Sequence, residues 1–137
     1  HICGKYNKKD SLEGTKGYKQ FEYVKEELPH LFAAADLIIS RAGANSISEI
    51  LSLKKPNILI PLSEKASRGD QILNARSFYK QGFSERLEEQ ELTEESLFQT
   101  IMELYRNRQK YITAMEKSDT VNGIEKIMEL IRTHGKK

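Results

Sequence analysis

Two short and nearly unbroken apolar runs, Leu37-Ile38-Ile39 and Ile58-Leu59-Ile60, stand out in a chain that otherwise mixes polar and apolar residues every three or four positions. Runs of this length bounded by turn residues mark strands buried on both faces of a parallel sheet, where no solvent face imposes alternation. Asp36 to Ser40 therefore predicts one strand and Asn57 to Pro61 a second, and Phe83 to Leu87 adds a third. Tyr18 to Val24 alternates apolar and polar residues closely enough for a further short strand. Between and around these runs the spacing is helical. Glu26-Glu27-Leu28-Pro29 has acids near the positive end of a helix dipole and a proline tolerated in the first turn, with Leu28, Leu31, Phe32 and Ala35 on one face. Gly43 opens a helix in which Ile47, Ile50, Leu51 and Lys54 follow, and Pro56 ends it because the residue before a proline avoids helical angles. A helix from Ser67 to Gln81 carries Ile72, Ala75, Arg76 and Tyr79 in threes and fours and stops at Gly82. From Thr93 the pattern is helical to the end, first with a stripe of Leu97, Ile101, Leu104 and Tyr105. A last helix follows, capped by Asp119, with Ile124, Ile127, Met128 and Ile131 on one face. Lys5 to Lys16 shows no period and reads as a loop with at most a helical turn.

Strands alternating with helices predict an α/β fold, a Rossmann-like parallel sheet with helices on both faces, and a length of 137 residues fits a single domain. Ligands of such sheets bind outside the carboxyl ends of the strands, where helix N-termini also gather. The loops Ser40 to Ser48 and Pro61 to Gln71 are thus the places to look for chemistry. Composition narrows the ligand. With 22 Lys plus Arg against 20 Asp plus Glu the net charge is only +2, without the basic excess of a nucleic-acid-binding domain. There is no long apolar run for a membrane span and no secretory leader, so the chain is expected to be soluble. The single Cys3 and the scattered His1, His30 and His134 offer no metal-ligand spacing. The first residue is His1, and His1-Ile2-Cys3-Gly4 reads like the end of a strand running into a loop. The expectation is a piece of a longer protein, a single domain over 1–137 that is incomplete at its N-terminus, with its C-terminal helices at about 93–133.

The loop Ser40-Arg41-Ala42-Gly43-Ala44-Asn45-Ser46-Ile47-Ser48-Glu49 leaves a buried strand and passes small residues. It then enters a helix whose free N–H groups carry about half a positive charge. That is the construction of a phosphate cradle, to which Asn45 and Ser46 add side-chain donors. It has neither the spacing and lysine of a Walker A loop nor the glycines of the dinucleotide fingerprint. Ser46-Ile47-Ser48-Glu49 equally fits a capping box, in which Glu49 folds back on its own helix start. If the helix begins earlier, near Gly43, Glu49 sits one turn in and can accept both hydroxyls of a ribose. In the second loop Ser67, Arg68, Asp70 and Gln71 provide donors and acceptors near another helix start. Asp70 and Gln71 suit sugar hydroxyls, and the plainer alternative is that Ser67 or Asp70 caps the helix.

These residues carry a resemblance. Ala35-Asp36-Leu37-Ile38-Ile39-Ser40-Arg41-Ala42-Gly43-Ala44 with Ser46 and Glu49, then Ile58-Leu59-Ile60-Pro61, then Asp70-Gln71-Ile72-Leu73-Asn74-Ala75-Arg76, resembles the MurG family. Its members are glycosyltransferases that move N-acetylglucosamine from UDP to undecaprenyl-diphospho-muramoyl-pentapeptide, converting lipid I to lipid II in peptidoglycan synthesis. The likeness runs from about Tyr18 to the end and is densest from Ala33 to Gly82. It implies the GT-B architecture, with this chain as most of the C-terminal, donor-binding domain. It further implies that Ala44, Asn45 and Ser46 line the diphosphate and adjacent sugar, that Glu49 takes the ribose hydroxyls, and that Gly43, Ile47 and Ser48 belong to the same donor-binding stretch. Gln71 with Asp70 would contact the N-acetylglucosamine, and the backbone near Val24 the uracil. No catalytic residue is expected in this stretch, and no cofactor or bound metal in the chemical step. The lipid-linked acceptor would bind through an N-terminal domain outside the chain, on a protein peripheral to the cytoplasmic face of the bacterial membrane. The stretch alone is expected to be inactive. The family pattern has two amides where this chain has Asp70-Gln71, and the loop after Pro61 is longer here. The alternatives are a UDP-N-acetylglucosamine epimerase of similar architecture and a stand-alone nucleotide-sugar-binding module.

Overall fold

In the computed structural model, which describes residues 1–64, 66 and 69–118, the strand Asn57–Leu59 (β2) lies between Ile38–Ser40 (β1) and Glu85–Arg86 (β3). Both pairings are parallel, with Ile39 opposite Ile58 and Leu59 opposite Arg86. All of β2 is buried. Because successive side chains of a strand point to opposite faces, the sheet is covered on both faces there. β1 departs from that expectation: Ile38 is buried but Ile39 is 43% exposed. Among the described residues β1 pairs on one side only, with β2, and so lies at the edge of the sheet.

The parallel strands are joined by helices, as parallel pairing requires. Ala44–Ser52 (α2) connects β1 to β2, and Asp70–Lys80 (α3) connects β2 to β3. Glu94–Arg106 (α4) and Arg108–Glu116 (α5) follow. Ile47 and Leu51 of α2, Ala75 and Phe78 of α3, Leu104 of α4 and Tyr111 and Met115 of α5 meet Ile58, Leu59 and Ile60 in one core. The α4 stripe holds at Leu97, Ile101 and Leu104, whereas Tyr105 is 43% exposed. On α3 the buried face is Ala75 and Phe78; Arg76 is exposed and Tyr79 is 53% exposed. Thr93 caps α4 through a reciprocal pair of bonds with Ser96. The Tyr111 hydroxyl donates to the Glu85 carboxylate, tying α5 to β3, and burial together with that bond pushes the hydroxyl well above the usual tyrosine range.

Two helices end in the same way. After α3, Gly82 takes φ 74° and its N–H bonds the Tyr79 carbonyl, while the Phe83 N–H bonds that of Phe78. Phe83 also meets Phe78 edge to face with ring centres 5.6 Å apart, so the turn and its apolar clasp form one Schellman motif. After α2 the same two bonds run from Lys54 to Leu51 and from Lys55 to Ile50, but the left-handed position, φ 50°, is held by Lys54. A side chain there costs roughly 1 kcal/mol that glycine avoids. Lys54→Gly is therefore expected to stabilise the fold by about 0.5–1 kcal/mol, read as a higher urea midpoint at unchanged slope.

The chain divides into two compact units, His1–Ala34 and Ala35–Lys137, and the sheet belongs to the second. In the first, the strand expected from Tyr18 to Val24 is reduced to a single bridge between Ile2 and Phe21. Gln20 explains part of this, because its side chain accepts the Lys9 N–H and donates to the Lys9 carbonyl, holding a loop where a strand partner would be needed. The helix Leu28–Ala34 (α1) forms with Pro29 in its first turn and ends one residue short of Ala35. The stretch Lys5 to Lys16 contains one 3-10 turn, Asp10–Leu12. The expected start of the second helix at Ser67, the Arg68 donor, and the last helix from Asp119 through Ile124, Ile127, Met128 and Ile131 lie outside the described residues.

Candidate functional site

β1 ends at Ser40, and four residues later α2 begins, so the chain must reverse within Arg41-Ala42-Gly43. It does so by placing Ala42 in the left-handed region at φ 63°, fully buried. That conformation is uncommon for a residue with a side chain, and a small one is needed where no space remains. Side chains from two elements hold the turn: Ser40 Oγ accepts the Ala42 N–H at 3.3 Å, and Asn74 Nδ2 of α3 donates to the Ala42 carbonyl at 3.0 Å. Arg41 lies outside, its Nη1 donating to the Ile60 carbonyl at 3.4 Å and to Glu89 at 3.1 Å.

Gly43 is the N-cap of α2, and no side chain caps the helix. The first intrahelical bond from this end is Ile47 N–H to the Gly43 carbonyl, 3.0 Å, so the N–H groups of Ala44, Asn45 and Ser46 lie ahead of it. Those are the donors that a helix leaves for a ligand. The capping box is excluded by this geometry: Ser46 is the third helical residue and Glu49 lies in the second turn. Ser46 and Glu49 are three apart and Asn45 and Glu49 four apart, so they share a face on the side away from the buried Ile47, Ile50 and Leu51. Glu49 is half-buried and enters no ion pair among the described residues. Ile47 is different. Its side chain is in the core and its N–H is spent within the helix, so it holds α2 in place; Ser48 is exposed.

The second loop meets the first through α3. Gly69, at φ 83°, is the N-cap of α3 and again no side chain caps the helix, so Asp70 is the first helical residue and not its cap. Asp70 is exposed. Gln71 is half-buried and its Oε1 accepts the Leu62 N–H at 3.0 Å, which commits the amide's oxygen to the loop and leaves its NH2 as the group to offer a ligand. Val24 lies in the His1–Ala34 unit, half-buried outside any helix or strand.

Sequence reasoning found α2 and Gln71 but passed over Ser40 and Asn74 as actors. Asn74 carries a faint signal, because asparagine is a poor residue for a helix interior unless its side chain has another task. Among the described residues, no group of His, Cys, Asp and Glu is arranged to hold a metal, and no helix is long and apolar enough to cross a membrane.

Comparison with known proteins bears on what this site holds. Residues 1–131 match the glycosyltransferase family 28 C-terminal domain. The chain is 59% identical over 136 residues to the UDP-N-acetylglucosamine--N-acetylmuramyl-(pentapeptide) pyrophosphoryl-undecaprenol N-acetylglucosamine transferase of Clostridium botulinum strain 657, covering 99% of this chain and 38% of that protein. Proteins of the same description from Clostridium tetani and Clostridium novyi are 58% and 57% identical, and the match covers 37% and 38% of their lengths. The chain thus spans under two fifths of the relatives it matches.

Proposed function

Since the chain belongs to the glycosyltransferase family 28 C-terminal domain family, a GT-B fold, we propose that it is the donor-binding part of a transferase that takes N-acetylglucosamine from UDP-N-acetylglucosamine. The acceptor is the lipid-linked muramoyl-pentapeptide, as the names of the relatives suggest, and the product is lipid II for peptidoglycan. The observation that carries this reading is the α2 N-terminus at the carboxyl edge of the sheet, with no side-chain cap on Ala44, Asn45 and Ser46. Anionic diphosphate suits that end, and as the sugar departs the same dipole and donors stabilise the charge gathering on UDP. Glu49 would repel phosphate but is placed one turn along, where a carboxylate accepts the two ribose hydroxyls. Gln71 presents its NH2 to the sugar, with Asp70 beside it. No metal or other cofactor takes part.

The acceptor binds through a separate N-terminal domain, at the cytoplasmic face of the membrane, and the chain alone binds donor without transferring it. The relatives are transferases, which favours transfer over epimerisation and over a stand-alone binding module. NMR titration of the labelled chain with UDP-N-acetylglucosamine, UDP and ADP tests the reading. Shifts are expected at Ala44 to Glu49 and at Gln71, larger for the uridine ligands than for ADP. Equal shifts for all three, or shifts elsewhere, would overturn it.

A further inference from the structure

We propose that Asn74 is a positioning residue for the donor diphosphate, acting through the peptide between Ala42 and Gly43. The proposal rests on the α2 N-terminus being the diphosphate site. In a trans peptide the C=O and the following N–H lie in one plane and point in opposite directions. Asn74 Nδ2 draws the Ala42 carbonyl toward α3 at 3.0 Å, so the Gly43 N–H is turned to the opposite side. That N–H has no hydrogen-bond partner among the described residues, and a Cβ built on Gly43 would meet nothing within 4 Å. It precedes the Ala44, Asn45 and Ser46 N–H groups at the start of α2, where no side chain caps the helix. Asn74 thereby aims a fourth backbone donor at an incoming anion without touching it.

The clamp is needed because Ala42, at φ 63°, sits in a conformation an alanine leaves readily. Ser40 Oγ holds its N–H and Asn74 its carbonyl, so both sides of the residue are fixed by side chains. Without the Asn74 bond the carbonyl is free to rotate, carrying the Gly43 N–H off its line. Glycine occupies the left-handed region unaided. It follows that Ala42→Gly compensates for loss of Asn74, which it would not do if Asn74 bound the ligand directly.

The test uses the full-length protein and two probes, UDP and uridine, titrated by calorimetry or by NMR shifts. Asn74→Ala is expected to weaken UDP about tenfold, the effect of one misaligned hydrogen bond to a charged group, and to leave uridine, which has no phosphate, unchanged. Ala42→Gly in the Asn74→Ala background is expected to restore most of the UDP affinity. Asn74→Leu, which is close in volume, removes the donor and adds no charge, gives the same comparison should the alanine variant fail to fold. Equal losses for UDP and uridine, an unchanged UDP affinity, or a loss that Ala42→Gly does not repair would each overturn the proposal. A wild-type protein that binds no UDP would overturn the donor-site reading and this proposal with it.

Discussion

Glu49→Ala in the full-length enzyme is expected to lower kcat/KM for the nucleotide-sugar donor by about 100-fold while leaving the fold intact. A carboxylate accepting two hydroxyls makes two charge-assisted hydrogen bonds, each contributing roughly 1.5–3 kcal/mol, and a net loss of about 3 kcal/mol is a little over a hundredfold. Nothing in the fold offsets or amplifies this. Glu49 is half-buried, forms no ion pair among the described residues, and occupies a helix interior where alanine is the better helix former. Glu49→Gln keeps the shape and loses the charge, so its loss should be smaller. Steady-state kinetics with donor varied at saturating acceptor, alongside thermal melts, check both. Unchanged donor kinetics in Glu49→Ala would remove the ribose role and leave the residue as solvated helix surface.

The second large effect is on stability. Ala42→Val places a β-branched side chain where φ is 63° and the site is fully buried. Alanine already bears the ordinary left-handed cost, but a β-branched residue is a rarer outlier there, and added carbons in a full site cost about 1–3 kcal/mol. A loss of about 2–3 kcal/mol is expected, a large share of the roughly 5–15 kcal/mol that holds a domain together. Equilibrium denaturation in urea reads it directly. A loss below about 1 kcal/mol would show that the turn yields to the added carbons.

The contrast between these two residues shows what the sequence made legible. The place of Glu49 on α2 was readable because a helix has a period, and a residue six positions beyond the opening glycine falls on a defined face. β2 was readable because a fully buried parallel strand has no reason to alternate, and Ile58-Leu59-Ile60 does not. The left-handed turn was not. Alanine carries no sign of positive φ as glycine does, and the two side chains that enforce it are Ser40 nearby and Asn74 far along the chain. The same limit explains the strand expected at Tyr18 to Val24: alternation describes a face, and a strand also needs a partner, which among the described residues Phe21 alone has, in its bridge to Ile2. Ser46 to Glu49 spells a capping box correctly as a motif, but the helix starts two residues earlier, at Ala44, and the motif falls inside it. On α3, the spacing through Ile72, Ala75, Arg76 and Tyr79 found Ala75 but not Phe78, which is buried and meets Phe83 edge to face.

The first two turns of α3 bear on the thermodynamics of binding. Gln71 and Asn74, three residues apart and so on one face, each grip a different loop: one the backbone at Leu62, the other at Ala42. Leu62 and Ala42 are therefore both fastened to a single rod, seated in the core by Ala75 and Phe78. Ordering two independent points around a ligand costs conformational entropy twice, whereas points already fastened to one helix have lost that freedom before the ligand arrives. Less of the interaction energy is then consumed in ordering the site, and a helix with few polar contacts of its own to a ligand still contributes to affinity.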